Sequence, residues 1–341
     1  MKKLMKTTNE TTLRKALGRR SLGKVGMILG GVLVLSGAIV QADTFGTGAN
    51  GFTLDFVPIG NAGNGNDAGA GGGSYFSPYG GVSYKYRMGT YEIPQSAIDK
   101  AAMSGLNGMP TGSWSGEQPS ANITWFQMAS FVNWLNTSTG HHKAYILNDR
   151  LSKMTPWSTE SAWQEGGENL FRHKDSYYFL PSENEWYKAA YHKNDGVTNN
   201  YYDYATASNY APVDAVGTDE SYAVYAYTTT TPVSVNNSGG LSAYGTRGQG
   251  GNISEMLESV YSDFGNYNPD ENRVIRGGDW YDGVASLRSS SRDSFSLWWN
   301  GSGSNLTLGF RVASVPEPSA AMLMISAGML ALARRRTRAV L

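Results

Sequence analysis

There is no cysteine among the 341 residues. That excludes disulfides, iron–sulfur clusters, cysteine-ligated zinc, thiol nucleophiles and thiolate copper sites. Histidine is scarce, at four, and charged residues make up 16% of the chain, where roughly 25% is usual. Leu and Ala are sparse outside the two ends, which argues against a helical bundle. The chain has instead 42 Gly, 21 Tyr and 9 Trp. It is too aromatic for simple disorder, and its length allows one large domain or two small ones.

The formal net charge of zero conceals an asymmetry. Residues 1–24 carry eight Lys/Arg and one acid, Glu10, and the last eight residues carry four Arg. Between them lie 16 basic and 27 acidic side chains. An interior this acidic repels nucleic-acid phosphates. It suits an exported soluble domain or the binding of cations.

Both ends read as addresses. A basic stretch to Lys24 is followed by the apolar run Val25 to Val40 and then by Val40-Gln41-Ala42, with small residues at −3 and −1. This is the order of a signal peptide over residues 1–42, implying signal peptidase as a partner and a mature chain from about Asp43. A retained anchor is the alternative, but the run is short for a membrane span. At the other end, Pro316-Glu317-Pro318 precedes the apolar segment Ser319 to Ala333 and the cluster Arg334, Arg335, Arg336 and Arg338. As a helix that segment covers about 22 Å, short of a ~30 Å hydrocarbon core, so it fits transient rather than permanent membrane residence. Residues 315–341 resemble the PEP-CTERM sorting signal. The resemblance implies processing by an exosortase in a Gram-negative-type, exopolysaccharide-producing bacterium, with delivery to the cell surface or extracellular matrix.

The interior predicts an α+β domain with short strands, few helices and long irregular loops. Phe52 to Phe56 and Tyr84 to Ile93 read as strands, and Gly60 to Gly73 as a flexible loop. Thr124-x-x-Gln127 and Ser182-x-x-Glu185 are capping boxes that open helices. The first runs to Leu135, with Met128, Phe131, Val132 and Leu135 on one face. Gly140 to Lys174 reads as mostly polar loop. Short strands follow at Tyr177 to Leu180, Val274 to Arg276 and Leu308 to Ala313.

Five segments occur in a recognisable order: Tyr91-Glu92-Ile93; Pro119 to Leu135; Phe179-Leu180-Pro181-Ser182-Glu183-Asn184-Glu185-Trp186; Gly251-Asn252-Ile253-Ser254-Glu255; and Arg276-Gly277-Gly278-Asp279-Trp280. Gly309-Phe310-Arg311 closes the domain. Together they resemble the formylglycine-generating enzyme, or sulfatase-modifying-factor, family over roughly residues 50–314. The resemblance implies a C-type-lectin-like fold for a domain spanning 43–314. Most of the matching residues suit a scaffold role: Arg276, Arg288, Arg292 and Arg311 as arginines of buried networks, and Glu185 and Trp186 as a cap and a core aromatic.

Active members hold copper(I) between two cysteines that follow the Arg-Gly-Gly-Ser-Trp segment. Here that stretch is Tyr281 to Arg288, without a thiol, and oxygen ligands do not suit copper(I). No copper is expected. The resemblance also implies a calcium site at the Gly-Asn-x-x-Glu turn, with the carbonyls of Gly251 and Ile253 and the carboxylate of Glu255 as ligands. Gly248 stands where a further side-chain ligand is usual. Asn209 and Asp219 align poorly with a second such site. His141 and His142 read as loop surface.

Two classes of function remain open. One is an exported, non-catalytic domain that binds a glycan or a protein through Tyr281, Asp282, Trp298, Trp299 and Asn300, aromatics with polar neighbours. The other is a protein-modifying oxidoreductase of this family whose chemistry has moved to carboxylates such as Glu183, Asp279 and Asp282.

Overall fold

Reciprocal capping boxes start two of the three helices found among the described residues. Thr124 Oγ1 accepts from the Gln127 N–H while Gln127 Oε1 accepts from the Thr124 N–H. Ser182 and Glu185 repeat the arrangement. Each box satisfies two backbone donors that a helix start otherwise leaves open. The computed structural model describes residues 40–69, 78–109, 114–262, 267–298 and 308–316. Most of the signal segment, Ala70 to Gly73, Trp299, Asn300, Glu317, Pro318, the apolar tail and the arginine cluster lie outside them.

In chain order the elements are β1 (Gln41–Phe45), β2 (Phe52–Ile59), β3 (Tyr86–Gly89), α1 (Gln95–Met103) and α2 (Trp125–Ser138). Then come β4 (Ile146–Leu147), β5 (Met154–Thr155), β6 (Ala162–Trp163), β7 (Asn169–His173), β8 (Tyr178–Phe179) and α3 (Glu183–Tyr191). The last are β9 (Val213–Asp214), β10 (Tyr222–Ala223), β11 (Ser254–Val260), β12 (Arg273–Arg276), β13 (Asp293–Phe295), β14 (Leu308–Gly309) and β15 (Ala313–Ser314). This is the expected α+β mixture of few helices and short strands.

One antiparallel sheet has the order β1-β2-β3-β15-β8, and a second, mixed sheet has β13-β12-β11-β14, with β14 parallel to β11. The first brings the beginning and the end of the domain together, because β15 lies between β3 and β8. The α2 face expected from periodicity is fully enclosed: Met128, Phe131, Val132 and Leu135 have no exposed surface. Burial of each such side chain is worth roughly 1.5–3 kcal/mol. Two indoles tie helix starts to β11. Trp125 Nε1 donates to the Leu257 carbonyl at 3.0 Å, and Trp186 Nε1 to Glu255 Oε2 at 2.7 Å.

Several expectations needed correction. The strand expected over Tyr84 to Ile93 is only β3, and α1 follows with Pro94 at its N-cap. The polar stretch from Gly140 to Lys174 contains two hairpins, β4–β5 and β6–β7. Leu308 to Ala313 is divided between two sheets. Arg288 is exposed, over the Tyr204 ring, rather than part of a buried network.

Candidate functional site

Three carboxylates of the sequence motifs are closed by arginines. Glu183 receives Arg276 at 2.6 Å and Arg292 at 2.9 Å. Glu185 and Glu258 share Arg172, at 2.9 and 2.8 Å. Glu255 receives Arg311 at 2.6 Å. All four glutamates are buried. Such groups persist only when paired and hydrogen-bonded, and here they cross-link helix α3, strands β7, β11 and β12, and the chain after β14. Arg172 was missed in the sequence because its partners lie 13 and 86 residues away.

This network decides what the carboxylates can do. Glu183 is saturated by two guanidinium groups, so it is no free acid or base. Glu255 Oε1 accepts from Arg311, and Oε2 from both Arg311 Nε and Trp186 Nε1. A calcium ion on this carboxylate would face the Arg311 guanidinium. Among the described residues no three His, Cys, Asp or Glu side chains gather to hold a metal. The donor set at Gly251, Ile253 and Glu255 does not fit calcium as the turn stands. Neighbouring Glu92 is also buried, with Asn252 Nδ2 donating to both its oxygens at 3.1 and 2.9 Å. Its desolvation pushes the carboxyl well above the usual range.

The segment after Arg276 presents a different surface. Gly277 has φ +98°, and a Cβ there would lie 2.9 Å from the Gln249 carbonyl, so only glycine lets the chain pass. Asp279 then builds a turn, its Oδ1 accepting the N–H groups of Tyr281 and Asp282 at 2.8 and 3.0 Å. The turn is bound from outside: Ala226 N–H donates to the Asp282 carbonyl at 2.7 Å, and Tyr227 N–H to the Trp280 carbonyl at 2.9 Å. Ala226 and Tyr227 both have positive φ, 47° and 63°, a conformation few side chains adopt without cost.

The outcome is an aromatic platform. Tyr227 is 58% exposed and Tyr281 42%, with ring centroids 4.3 Å apart. Trp280 stands behind them, 5.8 Å from Tyr281. Its Nε1 is buried with no acceptor among the described residues. Hydrogen bonding with Tyr281 pushes the Tyr227 phenol up to about 12. Burial raises the half-buried Asp282 carboxyl above its ordinary value, against a hydrogen bond from Ser286.

The expected ligand residues therefore divide. Tyr281 and Asp282 belong to this platform. Trp298, 52% exposed, packs on Phe126 at 4.9 Å and lines a separate recess with Ser294 to Ser296. Trp299 and Asn300 are outside the described residues. Tyr227 was missed because it sits in a long, non-periodic stretch. His142, expected at the surface, is exposed and also stacks on His173, with centroids 3.6 Å apart.

Residues 68–315 match the sulfatase-modifying factor enzyme 1-like domain. The chain belongs to that family. Residues 314–338 match the PEP-CTERM protein-sorting motif, so this sulfatase-modifying-factor protein is an exported one, and the motif implies processing by an exosortase. Among curated proteins no relative matches. Among solved structures, Treponema denticola variable protein 1 superposes with a TM-score of 0.52 at 21% identity, covering 81% of this chain and 99% of that one. CarF gives 0.49 at 20%, covering 77% and 99%. PvdO from Pseudomonas aeruginosa gives 0.48 at 15%, covering 80% and 98%. The first likeness supports the shared fold. Without a cysteine, this member has no thiolates to hold copper, which speaks against formylglycine generation. No helix of the described residues is long and apolar enough to cross a membrane.

Proposed function

We propose that this domain is a non-catalytic binding module, taking a glycan or protein ligand at the envelope or in the exopolysaccharide around the cell. The observation that carries the reading is the exposed Tyr227–Tyr281 pair, fixed by the Asp279 turn at the position where catalytic relatives keep their copper cysteines. Rigid aromatics lose little entropy on binding and present both apolar faces and hydroxyls. The half-buried Asp282 supplies a polar group beside them. The PEP-CTERM motif supports this reading, since an exported protein meets polysaccharides and envelope proteins.

The reading with relocated carboxylate chemistry has less support, because Glu183 is saturated by Arg276 and Arg292 and Asp279 is committed to its turn. The test is a screen of the exported protein against surface glycans and envelope proteins. Saturable binding without turnover, reduced about tenfold or more by Tyr281→Ala at unchanged melting temperature, is expected. Binding indifferent to both Tyr227→Ala and Tyr281→Ala would contradict the platform.

A further inference from the structure

A second concave site lies away from the platform and shares no residue with it. It is a cleft of about 200 Å³ between the segment before β3, the β6–β7 turn and the start of α3. Drug-sized ligands usually need about 300–1,000 Å³, so this cleft suits a single small ring. Its walls include Tyr84, Trp163 and Tyr267. Its polar lining includes Glu165, Glu168 and Asn184, and no Lys, Arg or His lines it.

The cleft is held open by its own construction. Trp163 Nε1 donates to the Glu165 carbonyl at 2.7 Å, and the Tyr267 hydroxyl donates to the Glu168 carbonyl. The two walls thereby clamp both ends of the turn between them. Gly166, at the tip, has φ +81°, and a Cβ there would lie 2.5 Å from the Tyr84 ring, so the turn sits directly on that wall. Tyr84 is anchored in turn by its hydroxyl on Glu185 at 2.5 Å, and the Arg172 guanidinium lies over the Trp163 ring at 5.2 Å. Below, Glu258 is fully satisfied by Tyr145, Asn169 and Arg172. A floor and walls fixed by a buried ion-pair network make a preformed site, and preformed sites lose less on binding.

The lining selects a chemistry. Glu165 and Glu168 make no ion pair among the described residues. Asn184 Oδ1 accepts from the Gly80 N–H at 3.0 Å, while its Nδ2 makes no hydrogen bond among those residues. The site thus offers carboxylate acceptors, one amide donor and aromatic surface. Hydroxyl groups can satisfy the first two, and the C–H face of a ring can cover the third. Anionic ligands meet only negative charge. We infer that the cleft between Tyr84, Trp163 and Tyr267 binds one uncharged pyranose unit of a glycan. A carbohydrate here would reach the protein independently of the Tyr227–Tyr281 platform.

The test is saturation-transfer NMR on the exported protein with cellobiose, lactose and mannobiose, and with glucuronic acid as the anionic comparison. At least one neutral disaccharide should receive saturation, and glucuronic acid none. Read in a Tyr281→Ala background that removes the platform, Ser83→Trp, at an exposed lining position, should abolish the remaining signal. The double variant Glu165→Ala/Glu168→Ala, which keeps both clamped carbonyls, should weaken binding about tenfold. The Tyr281→Ala protein should still give a signal, from the cleft alone, separating this site from the platform. Saturation of none of the neutral sugars, equal binding by both cleft variants with melting temperatures like wild type, or loss in Tyr281→Ala alone would overturn the assignment.

Discussion

Glu255 and Arg311, 56 residues apart in sequence, meet in the interior at 2.6 Å from Nη2 to Oε1, and neither side chain has solvent exposure. Both belong to sequence motifs of the family, one from the Gly-Asn-x-x-Glu turn and one from Gly-Phe-Arg. Their pairing links β11 to the segment between β14 and β15, and Arg311 also binds the carbonyls of Gly89 and Arg247.

Removing one member of such a pair strands the other charge. Glu255→Ala is expected to cost about 3–5 kcal/mol of stability, read as a fall in the urea midpoint. Because the same carboxylate is committed to Arg311 and Trp186, millimolar calcium should leave the wild-type melting temperature unchanged. A calcium-dependent rise that Glu255→Gln removes would show that the turn opens to bind the ion.

Stability should also depend on pH through the stacked histidines. Burial lowers the His173 pKa from its ordinary 6.5, and His142 and Lys174 act in the same direction while Asp175 opposes them. In this window the unfolded chain binds a proton that the folded chain resists. Stability is therefore complete above pH 6.5 and declines as pH falls from there toward the folded value. Glu185 adds a loss at lower pH. Burial raises its carboxyl, but Arg172 and the hydrogen bonds from Arg172, Tyr84 and Ser182 outweigh this and hold it below the ordinary 4.5. A melting-temperature profile should show the first decline in wild type and a smaller one in His173→Gln, the remainder coming from His192, whose pKa burial also lowers. An unchanged profile in the variant would assign the decline elsewhere.

Processing can be checked against the first strand. Cleavage after Ala42 would leave Asp43–Phe45 paired with β2 and would keep Asp43 on Arg87 at 2.6 Å and on the Tyr178 hydroxyl at 2.8 Å. Mass spectrometry of the exported protein is expected to give an N-terminus at Asp43 and loss of Arg334 to Arg338. Intact arginines on most molecules would contradict sorting through the tail.

Sequence showed what is set locally. The Thr124 and Ser182 capping boxes need residues only three apart, and the α2 face follows helical spacing. Helix α1 was hidden because it opens on Pro94 without a side-chain cap. Strand β11 was hidden because it is buried on both faces and lacks alternation. At the platform, Tyr281 and Asp282 were legible from their place after Arg-Gly-Gly. Tyr227 was not, since only a tertiary contact across more than fifty residues brings it there. The Tyr84–Trp163–Tyr267 cleft depends on the same kind of long-range assembly.

A sulfatase-modifying-factor domain without a cysteine has no thiolates for copper(I), and the proposed binding role predicts no formylglycine formation. The most direct measurement supplies the exported protein with copper, oxygen and a Cys-x-Pro-x-Arg peptide and follows the peptide mass. Cysteine should remain unconverted beyond the level seen with free copper. Sustained conversion to the aldehyde, lost on replacing Asp279 or Asp282, would contradict the non-catalytic reading.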